Sequence, residues 1–300
     1  MSSVNTYLPP GEGETVFTVS STPIKFGVGA LRELGADAQG LGMTRVALFV
    51  DDHVLGTEAG ADALASLRAA GLDAVVYDHV RCEPDSDSFA AAAAFVREGA
   101  FDGFVSLGGG SVIDTAKAAN LLSTWPDDLL AYINAPIGRA KPIPGKLKPH
   151  IACPTTCGTG SETTGITIVD LKSVGLKTGI ASPLLKPTLA LIDPRTTESL
   201  PGGVVAATGF DVLTHAVESY TARPYTSRPK PAHPSQRPPY QGSTPYNDIG
   251  SLHAIRLGGR YLARAVRDAG DTEARHQLMF ASTLAGLAFN LLGLQLPELA

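Results

Sequence analysis

The feature that most constrains this chain is a strand-like segment, Phe104 to Leu107, that runs directly into Gly108-Gly109-Gly110-Ser111 and then into a stretch of helical composition ending near Leu122. The same rhythm surrounds it. Arg45 to Val50 reads as a buried strand, and a helical stretch around Ala61 to Ala70 follows and ends at Gly71. Ala74 to Tyr77 reads as a second short strand. Ser88 to Glu98 is Ala-rich and helical, with Ser88 or Asp87 as its N-cap. Strands alternating with helices at this spacing predict βαβ units, hence an α/β fold with a parallel sheet covered by helices. Beyond Pro142, His150 to Cys153, Ile166 to Leu171 and Leu189 to Asp193 look like strands joined by glycine-rich or proline-rich connections. From Gly203 the pattern is helical: Gly203 to Tyr220, Asp248 to Arg267, and Asp271 to about Leu292. A Pro-, Ser- and Arg-rich linker, Ala222 to Gly250, separates the first two. A boundary near Leu200 divides an α/β region, 1–200, from the first helices of an all-α region, 201–300.

Composition excludes several function classes. The formal net charge of −5 argues against nucleic acid or an anionic membrane as the main partner, because both favour basic surfaces. Aromatics make up only 6% of the chain, so the core must be mainly aliphatic. Cys82, Cys153 and Cys157 are too few and too irregular for a disulfide framework. Cys153 and Cys157 suggest a metal pair at first sight, but no second Cys/His pair lies nearby, and two small residues beside a turn is the better reading. The first residues have no apolar segment of a secretory signal. They also carry no Arg before Arg32 and include Glu12 and Glu14, unlike an Arg-rich transit peptide. No run of 18 apolar residues suggests a membrane span. A cytoplasmic setting is the resulting expectation.

Three motifs carry candidate chemistry. In Gly108-Gly109-Gly110-Ser111-Val112-Ile113-Asp114-Thr115-Ala116-Lys117, three glycines between strand and helix clear side chains from the helix N-terminus. Backbone N–H groups and the positive end of the helix then suit a pyrophosphate, although a tight strand-to-helix turn needs the same residues. Gly27-Val28-Gly29 imitates the start of a dinucleotide fingerprint, but Arg32 replaces the third glycine, so a simple turn into a helix is expected. Pro154-Thr155-Thr156-Cys157-Gly158-Thr159-Gly160-Ser161-Glu162-Thr163 is dense in hydroxyls after a strand. It can wrap phosphate and ribose oxygens, or be no more than a flexible polar loop. In Gly209-Phe210-Asp211-Val212-Leu213-Thr214-His215, Asp211 and His215 share one helix face one turn apart. Such a pair can bind one divalent metal or make an ordinary hydrogen bond.

In this order and spacing, GGGSVIDTAKA, PTTCGTGSETT and GFDVLTHAVESY resemble the iron-containing (group III) alcohol dehydrogenase family, over about Phe17 to Phe289. VRCEPDSDSF, LLKPTLALIDP and RPPYQGSTPYNDI are similar to its hydroxyacid-oxoacid transhydrogenase branch. The resemblance implies an N-terminal α/β dinucleotide-binding domain, 1–200, and a helical metal and substrate domain, 201–300. It implies that Gly108, Gly109, Gly110 and Ser111 hold the pyrophosphate. Asp114, Thr155, Thr156, Thr159 and Ser161 would line the cofactor cleft, and Lys177 matches a lysine near the ribose. Asp52 matches the acidic position at the adenosine ribose, where a carboxylate repels a 2′-phosphate and favours NAD over NADP. Asp211 and His215 match two of four ligands to a divalent metal, Fe²⁺ or Zn²⁺, which acts as a Lewis acid. The implied partners are small hydroxyacids and oxoacids, with 4-hydroxybutyrate reducing NAD and 2-oxoglutarate reoxidising it. A homo-oligomer is also implied.

The sequence departs from the family where the remaining histidine ligands are expected. A segment resembling N-x-G-x-x-H-x-x-H-G is replaced by Asn290 to Ala300, with Gln295 and Glu298 at the histidine positions. Two ligands rarely hold a catalytic metal. The expectation is a chain with a truncated helical domain that binds NAD weakly, turns over poorly, and exposes apolar surface on Leu278 to Leu292. Two other readings are a non-catalytic nucleotide-binding remnant and a maleylacetate reductase-like enzyme.

Overall fold

The computed structural model describes residues 13–238 and 240–289. They form two compact units, one of residues 22–156 and 161–200, the other containing 13–21, 157–160 and the helices beyond 201.

The first unit is a six-stranded, wholly parallel sheet in the order β1-β8-β5-β4-β2-β3. The strands are β1 (Ile24–Phe26), β2 (Arg45–Val50), β3 (Asp73–Tyr77), β4 (Gly103–Gly108), β5 (His150–Pro154) and β8 (Leu189–Ile192). Central parallel strands are covered on both faces, so they read as continuous apolar runs. β2, RVALFV, has five of its six residues buried, and all six of β4 are buried. Alternate residues feed two separate cores. Val46, Leu48, Val50, Val105, Leu107, Ile151 and Cys153 face α1 (Leu34–Gly40) and α3 (Glu58–Ala69). Ala47, Phe49 and Phe104 face α4 (Ser86–Gly99) and α5 (Gly110–Thr124), with Phe49 stacked on Phe104 at 6.0 Å.

The helix starts follow local capping chemistry. α4 is capped by Asp85, two to three residues before the Asp87 or Ser88 that the sequence suggests. Its side chain accepts from the Ser88 N–H at 2.8 Å while Ser88 Oγ accepts from the Asp85 N–H, a reciprocal box that makes Ser88 the partner and not the cap. Gly29, at φ 87°, begins a short 3₁₀ turn, so Gly27-Val28-Gly29 is the simple turn expected.

Ile166 to Leu171 is indeed a strand (β6), but it lies outside the parallel sheet. It pairs antiparallel with β7 (Leu176–Ala181) in a separate hairpin. Val169, Leu171 and Ile180 bury against Leu121 and Leu122 of α5 and Tyr132 of α6 (Leu129–Tyr132), a third small core.

The second unit packs α7 (Gly202–Thr221), α8 (Pro245–Arg267) and α9 (Thr272–Phe289) against one another. Reciprocal glycines let α7 and α8 approach. A Cβ on Gly209 would stand 2.2 Å from Leu262, and one on Gly258 would stand 2.6 Å from Leu213. The segment from Ala222 to Gly250 is a clamped structure rather than a free linker. Buried Glu14 pairs with Arg237 at 2.9 Å, Gln241 donates to Thr18 Oγ1 at 2.7 Å, and Phe17 meets Tyr225 edge to face. The expected exposure of Leu278 to Leu292 is not found over Leu278–Phe289, whose residues are buried or half-buried, because α7 and α8 cover them. Exposed apolar side chains lie on α7 and α8 instead, at Ile249 (72% exposed), Phe210 (64%) and Val217 (45%). No described helix is long and apolar enough to cross a membrane.

Candidate cofactor and metal sites

The sheet order reverses at β2, with β3 on one side and β4 on the other. In open α/β sheets such a switch leaves a crevice at the carboxyl ends of the strands. Register brings two of the sequence motifs, and the Asp51-Asp52 pair after β2, to that edge: Val50 pairs with Leu107, and Gly108 with Pro154. The residues after β2, β4 and β5 therefore sit side by side.

Helix α5 opens there without a side-chain cap. Its N-cap is Gly109 in extended conformation. A Cβ on Gly108 would meet Val112 at 2.4 Å, so Gly108 is required by the turn itself. A Cβ on Gly109 would stand 3.1 Å from Thr156, which places Thr156 beside the glycine turn. Thr155 continues the strand pairing through its N–H to the Gly108 carbonyl, 3.1 Å. Uncapped N–H groups, the helix dipole and a cleared backbone make this turn fit a pyrophosphate. Asp52 is the exposed first residue of α2 (Asp52–Leu55), while Asp51 stands closer to the strand end and spends its carboxylate capping that helix through the Val54 N–H, 2.9 Å.

The other expected cofactor residues are placed differently. Asp114 and Ser161 point inward: Ser161 Oγ donates to Asp114 at 2.6 Å, and the second Asp114 oxygen accepts from the Ile168 N–H at 2.9 Å. Lys177, on β7, reaches Glu83 at 2.6 Å, and the Glu83 N–H donates to Ser111 Oγ at 3.1 Å. Glu83 thus joins two residues expected at the cofactor and was missed from sequence. Its signal there is only an acidic residue in a Pro-containing turn, yet its backbone takes a left-handed φ of 56°. Thr159 belongs with the helical unit. There Gly158 and Gly160 lie against Thr208 and Gly286, where added Cβ atoms would come within 2.8 Å and 2.6 Å. The two glycines serve close packing on α7 and α9. Cys157, Sγ 3.6 Å from Thr208 Oγ1, is buried and its thiol is pushed up by burial, as is that of Cys153; both are free thiols.

In the helical unit, Asp211 and His215 converge as expected one turn apart on α7. His215 Nε2 lies 3.6 Å from Asp211 Oδ1, too long for a hydrogen bond. Two ligands of a tetrahedral ion at ~2.0–2.2 Å are spaced by about 3.4 Å, so the pair fits one shared divalent cation. His215 Nδ1 is buried without a hydrogen-bond partner among the described residues, and Phe289 covers the ring at 4.5 Å. Among the described residues no group of three or more His, Cys, Asp or Glu side chains completes a metal site. Gln295 and Glu298 lie outside the described residues.

Residues 21–194 match the iron-containing alcohol dehydrogenase domain, and residues 240–296 match the C-terminal domain of the same family. The chain belongs to the iron-containing alcohol dehydrogenase family. It is 50% identical over 282 residues to a mitochondrial hydroxyacid-oxoacid transhydrogenase of Bos taurus, covering 93% of this chain and 60% of the relative. The Homo sapiens counterpart is 47% identical over the same length. The chain thus spans about 60% of the length of these relatives. Among solved family structures, a 1,3-propanediol oxidoreductase superposes with TM-score 0.81 at 30% identity, covering 93% of this chain and 68% of the other. A Bifidobacterium kashiwanohense sulfoacetaldehyde reductase solved with NAD⁺ gives 0.77 at 29% identity, covering 92% and 67%. The relatives' names correct one expectation. The bovine, human and Dictyostelium discoideum proteins are all named as mitochondrial, which overturns the cytoplasmic setting inferred from an Arg-poor start. The composition of a few terminal residues is no measure of compartment.

Proposed function

We propose that this chain carries the NAD site and part of the metal site of a hydroxyacid-oxoacid transhydrogenase. The observation that carries the reading is the alignment, at one sheet edge, of the residue pair after β2, the uncapped glycine turn of α5, and Thr155-Thr156 after β5. The identity to curated transhydrogenases supports the substrate class.

In this reading Gly109, Gly110 and Ser111 bind the pyrophosphate, Thr155 and Thr156 flank it, and Asp52 faces the adenosine ribose. Lys177, now bonded to Glu83, would stand near the ribose. Asp211 and His215 supply two ligands to a divalent cation, Fe²⁺ or Zn²⁺, whose chemistry is Lewis-acid stabilisation of the substrate oxygen. With NAD bound, a hydroxyacid such as 4-hydroxybutyrate would give its carbinol hydrogen as hydride to NAD and its hydroxyl proton to solvent, and an oxoacid such as 2-oxoglutarate would take up the hydride and a proton and restore NAD.

The test is NADH titration, metal analysis, and 2-oxoglutarate-dependent oxidation of 4-hydroxybutyrate on the chain as it exists. NADH binding abolished by Gly109→Val, together with metal lost on Asp211→Ala or His215→Ala, supports the reading. Absence of NADH binding overturns it. Tight NADH binding with no metal and no turnover favours a non-catalytic nucleotide-binding protein.

A further inference from the structure

The Asp and Lys that follow the glycine turn at one-turn intervals do not face a ligand. The Lys117 side chain is fully enclosed. Its ammonium donates to the Ser161 carbonyl at 2.7 Å, the Ile166 carbonyl at 2.7 Å and Ser161 Oγ at 2.9 Å, with Thr164 Oγ1 at 3.4 Å and Asp114 at 3.8 Å. Three N–H donors thus meet three close acceptors. Burial pushes Lys117 down to about 8, which leaves it charged at neutral pH. Asp114 completes the grip: it accepts from Ser161 Oγ at 2.6 Å and the Ile168 N–H at 2.9 Å, and its own carbonyl accepts from Thr167 Oγ1 at 2.9 Å. Asp114 and Lys117, at i and i+3 on α5, therefore hold both ends of the stretch 161–168.

The hydroxyl-rich loop has two anchors as a result. Its start is fixed at β5 by the Thr155 N–H to the Gly108 carbonyl. Its end, Ser161, is fixed by Asp114 and Lys117, which stand one and two turns along the helix that opens at Gly110. We propose that Lys117 and Asp114 are positioning residues for the dinucleotide: they fix the far end of the Thr155–Ser161 loop to the phosphate-binding helix, and so set where Thr155 and Thr156 stand. This rests on the cofactor reading above and deepens it. It also reassigns Asp114 and Ser161 from contact with the cofactor to support behind it.

The test compares Lys117→Met and Thr167→Val with the unaltered chain. Thr167 is fully buried and touches the tether only through the Asp114 carbonyl, so its removal cannot delete a ligand contact. Two readouts are taken well below the melting temperature: NADH affinity by fluorescence enhancement, and hydrogen exchange of amides 161–168 by mass spectrometry. Misplacing binding groups costs on the order of tenfold or more. Lys117→Met is expected to weaken NADH by about tenfold or more and to speed exchange across 161–168, with Thr167→Val doing both to a smaller degree. A folded Lys117→Met with wild-type NADH affinity and unchanged exchange overturns the proposal. If Lys117→Met does not fold, Thr167→Val decides by the same two readouts. If the unaltered chain binds no NADH, the functional reading falls, and the exchange measurement alone still decides whether the tether holds the loop.

Discussion

Two buried polar clusters, one in each unit, are satisfied to different degrees. In the sheet unit, Lys117, Asp114, Ser161 and Thr167 are buried together and every close contact is a hydrogen bond. In the helical unit, Ser219 Oγ on α7 and Asn247 Nδ2, Asp248 Oδ2 and Ser251 Oγ on α8 are just as buried. Each lacks a partner among the described residues. A satisfied network rigidifies and specifies one arrangement, whereas an unsatisfied one costs the desolvation of each atom. The first pattern belongs to a region whose geometry is complete within itself. The second leaves hydroxyl, amide and carboxylate atoms of α7 and α8 without a partner among the described residues.

The largest expected effect comes from breaking the satisfied side. Lys117→Met leaves Asp114 buried with its countercharge gone, and a broken buried pair costs about 3–5 kcal/mol. That is a large part of the roughly 5–15 kcal/mol that holds a typical domain. Thermal unfolding should show a drop of many degrees. A change of only a degree or two would mean that the network contributes no more than the unsatisfied seam does.

A somewhat smaller effect should be seen at Glu162, next to Ser161 and fully buried. Burial pushes its carboxyl from an ordinary 4.5 up to about 7. The folded state then holds a proton that the unfolded chain has already lost, so stability falls as pH rises from about 4.5 to about 7 and stays lower above that. The penalty at pH 8 is roughly 3 kcal/mol, from ~1.36 kcal/mol per pKa unit. Glu162→Gln removes the titration. It should melt above the wild type at pH 8, with the gap closing toward pH 4.5. A gap independent of pH would show that Glu162 is not the proton holder.

Much of the sheet unit was legible because its strands are continuous apolar runs bounded by glycines, as in RVALFV and FVSLGGG. Pattern could not show that Ile166 to Leu171 leaves the main sheet, since an antiparallel hairpin and a parallel strand use the same residues. Nor did it find β1, three residues at a sheet edge whose burial is intermediate at best. The glycine turn and the Asp211/His215 pair were visible because both depend on local spacing. The inward aim of Asp114 and Lys117 was not, because a lysine on a helix reads as solvent-facing until its long-range acceptors at 161–166 are known. The Pro- and Ser-rich segment after Ala222 read as a linker for the same reason. Its partners, Glu14 and Thr18, lie more than two hundred residues away in sequence.

The smallest effect is the one that tests the contrast most directly, because it substitutes the same residue type on both sides. Ser161 Oγ serves two partners at once, donating to Asp114 and accepting from Lys117. Its loss in Ser161→Ala leaves Asp114 and Lys117 each short of a hydrogen bond, at a cost of about 1–3 kcal/mol. Ser219 and Ser251 hydroxyls are equally buried but serve no described partner. Removing them deletes a desolvated group and no bond, so Ser219→Ala and Ser251→Ala should be neutral or stabilising by up to ~1 kcal/mol. Urea unfolding of the three variants measures this at a common pH. If all three lose stability alike, the helical seam is satisfied in solution by bound water, and the two units do not differ in kind. If only Ser161→Ala loses it, the polar atoms of α7 and α8 are in excess of what the described helices need.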